Sequence, residues 1–190
     1  MRKSLALFIV VASSALGACV PSVYPLYTDK DLRFDPGLVG VWSDDKEPDE
    51  AWTFTKVNDT SYELVIKDEA KSAPFDAHLV QIGKYRFLDI APAEGGLENV
   101  PVPDIYKAGL IRGHMFLKVT SIEPALRMAF MDRKWLNNYL DAHPKELAYS
   151  GDAEDNLVLL APTRDLQRFM LKHADDKGLF GDSSNLHKIK

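Results

Sequence analysis

The sequence predicts an α+β domain, in which a curved antiparallel sheet or partly closed β-barrel is followed by two C-terminal helices. From residue 38 to about residue 131, apolar and polar residues alternate in short runs separated by turn residues, which is typical of antiparallel strands. Two stretches with apolar residues at helical spacing follow. Because the strands precede the helices instead of alternating with them, the order favours an α+β domain over a parallel sheet.

The clearest hairpin lies between residues 52 and 66. Trp52 and Phe54 alternate with threonines, Asn-Asp-Thr at 58–60 is a turn signal, and from Tyr62 apolar residues again occupy every second position. A second hairpin turns at Gly83-Lys84, but its weaker alternation leaves the register open.

Residues 91–113 are rich in proline and glycine and predict a long loop with a short helical turn near 105–110. Such loops are uncommon in compact domains unless they cover or bind something. Two further strands are expected at 115–119 and 126–130.

Asp132 is a suitable N-cap for a helix over residues 133–143. A short strand at 157–160 should follow, and Thr163 should cap the second helix. The last ten residues are polar, and we expect them to fray.

The N-terminus has the composition of a secretory signal. Arg2 and Lys3 give a positive start, and the apolar run that follows is too short for a transmembrane helix, which needs about 20 residues. Gly17 and Ala18 are small enough for an extended backbone in a peptidase cleft, and Cys19 supplies a thiolate that a lipid-transferring enzyme can alkylate.

The tetrapeptide Leu16-Gly17-Ala18-Cys19 resembles the lipobox of bacterial lipoproteins. The resemblance implies signal cleavage between Ala18 and Cys19, a diacylglyceryl thioether on Cys19 and an acyl group, such as palmitate, on its new amine. Two or three chains anchor a protein stably, whereas one binds only marginally. In a Gram-negative host, Val20 in place of an aspartate after the cysteine favours the outer membrane, with the domain facing the periplasm.

Four segments are therefore predicted: a signal peptide (residues 1–18), a lipidated N-terminus and tether (19–36), a single α+β domain (37–180) and a polar tail (181–190). The tether reaches at most about 50 Å when fully extended. Apolar residues from Tyr24 onward favour packing on the domain, with an exposed docking strand for a partner as the alternative. The stretch from residue 25 to residue 42 resembles the opening of uncharacterised bacterial lipoproteins, which implies no activity.

Charge and cysteine content exclude several kinds of function. Removing the signal takes away two of the 23 basic residues and none of the 28 acidic ones, so the net charge changes from −5 to about −7. Such a surface repels nucleic acid and anionic lipid head groups. Cys19 is the only cysteine, so once acylated it leaves no disulfide or thiolate metal ligand.

Gly40-Val41-Trp42 resembles the Gly-x-Trp signature of lipocalins and their relatives, in which the tryptophan plugs the closed end of a small barrel. The alternative is a generic strand-rich α+β domain. If the sheet closes, aromatic residues would line a ligand cavity, and the candidates are Trp42, Trp52, Phe54 and Tyr85. The same residues would otherwise fill an ordinary core.

Catalytic signals are sparse. The five histidines include no His-x-x-x-His pair, and no Gly-x-Ser-x-Gly, Ser-x-x-Lys or Walker-type motif occurs. The acidic group at 44–50 misses the calcium-loop pattern and is read as a solvated loop. The sequence thus predicts no catalytic residue, metal or cofactor.

Two functions remain open. The first is a non-enzymatic envelope lipoprotein that works through contacts with the membrane and an envelope protein partner. The second is a lipocalin-like carrier or sensor of a small apolar molecule, with a cavity behind Trp42 that opens near the 91–113 loop. An enzyme would require polar candidates, such as His78 and an acidic residue, to converge in a cleft.

Overall fold

The computed structural model describes residues 19–96, 100–152 and 157–190. Within them, the α-helices are α1 (Asp104–Ala108), α2 (Arg133–Ala142) and α3 (Thr163–His173). The strands are β1 (Leu32–Arg33), β2 (Gly40–Asp44), β3 (Glu47–Lys56), β4 (Tyr62–Asp68), β5 (Lys71–Ile82), β6 (Tyr85–Pro92), β7 (Met115–Ser121), β8 (Ala125–Phe130), β9 (Tyr149–Ser150), β10 (Val158–Leu159) and β11 (Leu186–Lys188).

Eight of these strands close into an antiparallel barrel. Their order around the ring is β5, β4, β3, β2, β11, β8, β7 and β6, and β6 pairs back onto β5. The short strand β1 pairs with the same edge of β5 just beyond the first residue of β4, since Tyr62 pairs with Ala77 and Leu32 pairs with Val80. The predicted α+β class, with a curved antiparallel sheet closing into a barrel and helices near the C-terminus, is confirmed.

The inward faces of the strands pack the barrel interior. Trp42 on β2 lies opposite Trp52 on β3, and both side chains are buried. Further interior residues come from all sides of the ring: Phe54, Tyr62, Leu64, Ala77, Leu79, Leu88, Ile90, Leu117, Val119, Leu126, Met128 and Leu186. Burying each large apolar side chain contributes about 1.5–3 kcal/mol, so this cluster is a main source of stability.

A second apolar layer lies outside the barrel. The outward faces of β5, β6 and β7 carry Val80, Phe87 and Phe116, which pack with residues of α2 and α3 and of the N-terminal segment. The predicted cap of α2 is confirmed, because the Asp132 carboxylate accepts a hydrogen bond from the Trp135 backbone N–H at 2.6 Å.

The expected cap of α3 is wrong. Thr163 is the first helical residue, and Pro162 occupies the cap position without a side-chain hydrogen bond. The Thr163 hydroxyl instead donates to the Pro25 carbonyl at 2.8 Å, so it fastens the N-terminal segment to the helix.

One expected segment role needs correction. Residues 181–190 are not a frayed tail, because they contain β11, which lies between β2 and β8 and closes the ring. The N-terminal segment packs on the domain, as the apolar residues after Tyr24 favoured, and this packing begins earlier than expected, because Val20 and Ser22 are buried as well as Leu26. Among the described residues, no helix is long and apolar enough to cross a membrane.

Candidate functional site

The chain after Cys19 lies across the outer face of the barrel as a strap. Ser22 and His114 exchange two backbone hydrogen bonds of 2.8 Å each. On its other side the strap contacts β10, since the Leu159 N–H donates to the Pro21 carbonyl and the Val23 N–H donates to the Leu159 carbonyl, both at 2.9 Å. The strap, which we define as residues 20–27, is therefore held from both sides by backbone pairing.

Cys19 itself lies partly buried beside the start of α2. Its carbonyl accepts a hydrogen bond from Arg133 Nη2 at 3.1 Å. Burial raises the pKa of the Cys19 thiol, and the nearby Arg133 charge opposes the rise. The Arg133 Nε is buried and has no hydrogen-bond partner among the described residues, which leaves a donor beside Cys19. Leu16, Gly17 and Ala18 of the predicted lipobox lie outside the described residues.

A cleft of about 390 Å³ opens between the strap, the β3–β4 turn and the outer face of the sheet. Its polar lining includes Tyr27, Asp76, His78, Asp89, Arg112 and His114. Trp42 does not line it, so this cleft is distinct from the cavity expected behind that residue.

A buried carboxylate in the cleft, Asp89, contacts His114. Asp89 is 1 % exposed, and its Oδ1 lies 2.7 Å from His114 Nδ1. Its other oxygen accepts the Leu26 backbone N–H at 2.7 Å. Both carboxylate oxygens are thus engaged, one by the residue that enters β7 and one by the strap.

Tyr27 forms one wall of the cleft. Its ring lies 4.5 Å from the His78 ring and 6.4 Å, edge-on, from that of His114, measured between centroids. Burial, together with the negative charges of Asp89 and Asp76, raises the pKa of Tyr27 to about 12, so its hydroxyl remains a donor at neutral pH.

Arg112 closes the cleft from the 93–114 loop. Its guanidinium pairs with Asp76, and its Nε donates to the Pro92 carbonyl at 2.6 Å. The cleft therefore offers a phenol, imidazoles and a guanidinium to a small polar molecule.

The four aromatic residues proposed as a ligand site do not lie together. Trp42, Trp52 and Phe54 are inside the barrel, where Trp42 Nε1 donates to the Leu38 carbonyl at 2.8 Å and the Trp52 and Phe54 rings are 6.5 Å apart. Tyr85 lies on the outer face, and its hydroxyl donates to Asp175 at 2.6 Å. The separation follows from register, because Tyr85 begins a strand whose inward residues are Leu88 and Ile90.

Sequence reasoning missed the Asp89–His114 pair, whose members are 25 residues apart. One signal was present: Asp89 interrupts the apolar run Phe-Leu-Asp-Ile-Ala, and a carboxylate in a buried strand needs a partner. His78, named as a candidate partner of an acidic residue, also lines the cleft, where its Nδ1 lies 3.0 Å from the Thr60 carbonyl.

Other titratable groups have structural contacts. His173 is buried, with Nδ1 at 2.6 Å from Asp176 and Nε2 at 3.1 Å from the Tyr139 hydroxyl, which ties α2 to α3. In the described part of the chain, no group of three or more His, Cys, Asp or Glu residues is arranged to hold a metal ion.

The chain matches no protein-family model, no curated protein and no solved structure. The closed eight-stranded barrel is compatible with a lipocalin-like binder.

Proposed function

We propose that this chain is a bacterial envelope lipoprotein, anchored by acyl chains on Cys19, whose barrel domain works at the membrane through contacts rather than catalysis. The observation that carries the proposal is the order of a basic start, a short apolar run and Leu16-Gly17-Ala18-Cys19. A Gram-negative outer membrane is the location that Val20 favours.

The strap supports this proposal. Only Pro21 separates the buried residues Val20 and Ser22, so the chain is fixed to the domain almost immediately after Cys19. Acyl chains on Cys19 would leave from a fixed point on the domain surface. A domain held in this way stays in contact with the bilayer instead of reaching away from it.

The Asp89–His114 pair supports a non-catalytic role. Asp89 uses one oxygen on Leu26 of the strap and the other on His114, whose backbone pairs with Ser22 of the strap. The pair thus fixes the strap at two points. Holding the strap explains why the Asp89 carboxylate is buried, and no catalytic role is needed to account for it.

The outer cleft favours a second candidate, the binding of a small molecule. Small-molecule sites span about 300–1,000 Å³, and the cleft lies within that range. The barrel interior is occupied by Trp42, Trp52 and Phe54. A carrier or sensor with this fold would therefore use the polar cleft, with Tyr27 and Arg112 as donors, in place of the apolar interior expected from the lipocalin likeness.

Membrane fractionation of a Gram-negative host tests the anchor. The wild-type protein should remain with the outer membrane, whereas Cys19→Ser should accumulate as precursor or as a soluble product. A control places cysteine at an exposed site, Ser150→Cys, in the Cys19→Ser background, and it should not restore attachment. Equal membrane attachment of wild type and Cys19→Ser would reject the proposal.

Affinity purification of the acylated protein, with mass spectrometry of bound proteins and extracted small molecules, separates the two candidates. A stable envelope protein partner supports the contact role. A bound small molecule that is lost in Tyr27→Phe or Arg112→Gln, without a protein partner, supports the carrier role.

A further inference from the structure

We propose that the loop between β6 and β7 inserts apolar side chains into the lipid bilayer beside Cys19, and so sets the tilt of the barrel on the membrane. The inference rests on the proposed lipid anchor. The inserting surface, here called the α1 patch, consists of Val100, Ile105, Tyr106, Leu110 and Ile111.

The α1 patch is unusually exposed for its composition. Ile105 is 84 % exposed, Ile111 is 73 % exposed and Tyr106 is 59 % exposed, and four large apolar residues fall within seven positions. None of the five residues of α1 is buried. Single exposed apolar residues are ordinary, but a contiguous group marks a surface that another phase or molecule covers.

The patch and Cys19 lie at the same end of the barrel. The loop leaves β6 after Pro92 and enters β7 at Met115. Cys19 contacts Arg133, which follows the end of β8, and β8 ends beside the start of β7 because Phe130 pairs with Leu117. A membrane surface placed against this end of strands β6, β7 and β8 would therefore contact both the α1 patch and Cys19.

The strap connects the two features directly. Ser22, three residues after Cys19, pairs with His114, three residues after Ile111. A Cβ on Gly113 would lie 3.0 Å from the Pro21 Cβ, so the loop and the strap are in close contact. The loop that carries the patch is thereby held beside the anchor.

Charge selects the side of the barrel that faces the lipid. The β2–β3 hairpin lies at the same end of the barrel as the α1 patch, and it carries Asp45, Glu47 and Asp49, all of which are exposed. In the ring of eight, β3 is four strands from β7 in either direction, so these carboxylates are on the opposite wall. A tilt that lowers the α1 patch lifts the acidic hairpin away from anionic head groups.

The position of the patch identifies lipid as its occupant. An acylated Cys19 brings the bilayer to this end of the domain, where the Arg133 guanidinium lies beside the Cys19 carbonyl and Lys134 is exposed. Membrane-interfacial segments typically place basic residues near the lipid head groups and aromatic or aliphatic side chains at the boundary of the acyl chains. Lys134, Tyr106 and the two isoleucines of the α1 patch have this composition.

Site-directed fluorescence tests the insertion. Because acylation blocks the only natural cysteine, Ile111→Cys in the acylated protein gives one thiol for an environment-sensitive NBD probe. The labelled protein is reconstituted into vesicles of three parts phosphatidylethanolamine to one part phosphatidylglycerol. The matched control is Leu171→Cys, since Leu171 is also exposed but contacts Gly83 at the opposite end of β6.

We expect iodide to quench the probe at 111 on the order of threefold less than the probe at 171, with a blue-shifted emission, because the 111 probe lies among acyl chains. Equal quenching of the two probes in the acylated protein overturns the inference. Protection at 111 in native envelope vesicles, but not in pure lipid, also overturns it, because a protein would then cover the patch.

The intact mass of the same samples separates this inference from the proposed anchor. If the protein carries no acyl chain, the anchor proposal fails. Insertion of the loop is then tested with the Cys19→Ser, Ile111→Cys double variant, labelled with NBD and added to the same vesicles. A blue-shifted NBD emission in this sample supports insertion of the loop into lipid, and an unshifted emission overturns the inference.

Discussion

Asp89 and His114 join the barrel wall to the chain that follows Cys19. The Asp89 Oδ1 lies 2.7 Å from His114 Nδ1, and the Oδ2 lies 2.7 Å from the Leu26 N–H. Since His114 also pairs with Ser22 through the backbone, the Asp89–His114 pair holds the strap over the five residues from Ser22 to Leu26.

Replacing Asp89 should loosen the strap and destabilise the domain. Asp89→Ala leaves the Leu26 N–H and the His114 imidazole without their acceptor, and hydrogen bonds to charged groups contribute about 1.5–3 kcal/mol each, so we expect a loss of roughly 3 kcal/mol. His114→Ala removes one of the two contacts and should cost less. Urea denaturation measures both, and hydrogen exchange at Leu26 should accelerate in Asp89→Ala. A loss below about 1 kcal/mol would refute this role.

Trp42 should be a principal stabilising residue of the barrel interior. It is 0 % exposed, and its Nε1 donates to the Leu38 carbonyl at 2.8 Å. Trp42→Ala should cost about 3–5 kcal/mol, whereas Trp42→Phe keeps much of the ring and should cost less. Chemical denaturation gives the two values. A near-neutral Trp42→Ala would indicate a cavity at this position in place of the packed interior.

The strands that were predictable from the sequence are those with one apolar face. In β3, inward Trp52 and Phe54 alternate with threonines, and in β4 the exposed Glu63 separates inward Tyr62 and Leu64. In β6 every residue from 87 to 91 is buried, because the helices and the strap cover its outer face, and alternation is lost. For this reason the sequence left the register of that hairpin open.

The last strand, β11, could not be predicted from the sequence for a different reason. β11 has three residues, of which Leu186 alone is buried, so neither alternation nor length signals a strand. The position of β11 between β2 and β8 is set by closure of the barrel, which depends on the whole fold and not on the local sequence. The cleft was missed likewise, because Asp89, His114 and Tyr27 come from distant segments that meet only after the strap packs.

A substitution pair tests whether the C-terminus closes the barrel. Leu186 is buried in the interior, whereas the adjacent His187 is exposed. Leu186→Asp places an unpaired charge inside the barrel and should abolish cooperative unfolding or lower the Tm sharply, while His187→Asp should leave the Tm nearly unchanged. Calorimetry distinguishes the two. Equal, small effects would mean that residues 181–190 are the frayed tail expected from the sequence.

Asp175 should make stability depend on pH in the acid range. Hydrogen bonds from Tyr85, Lys84 and Lys118 hold the pKa of its carboxyl well below the usual range. The unfolded chain, with an aspartate pKa of about 3.9, therefore takes up this proton at a higher pH than the folded protein. The stabilisation is fully present above that value and is lost as the pH falls through the folded pKa.

The measurement for Asp175 is the Tm difference between wild type and Asp175→Asn. This difference should be constant from pH 7 to about pH 5 and should shrink below about pH 4. A difference that stays the same between pH 7 and pH 3 would show that the Asp175 contacts do not form in solution.

The intact mass of the protein purified from bacterial envelopes tests the lipid anchor most directly. We expect a chain that begins at Cys19 and carries two or three acyl chains through a diacylglyceryl thioether and an amide on the new N-terminus. A mature chain that begins at another residue, or one in which Cys19 carries no acyl group, would contradict it.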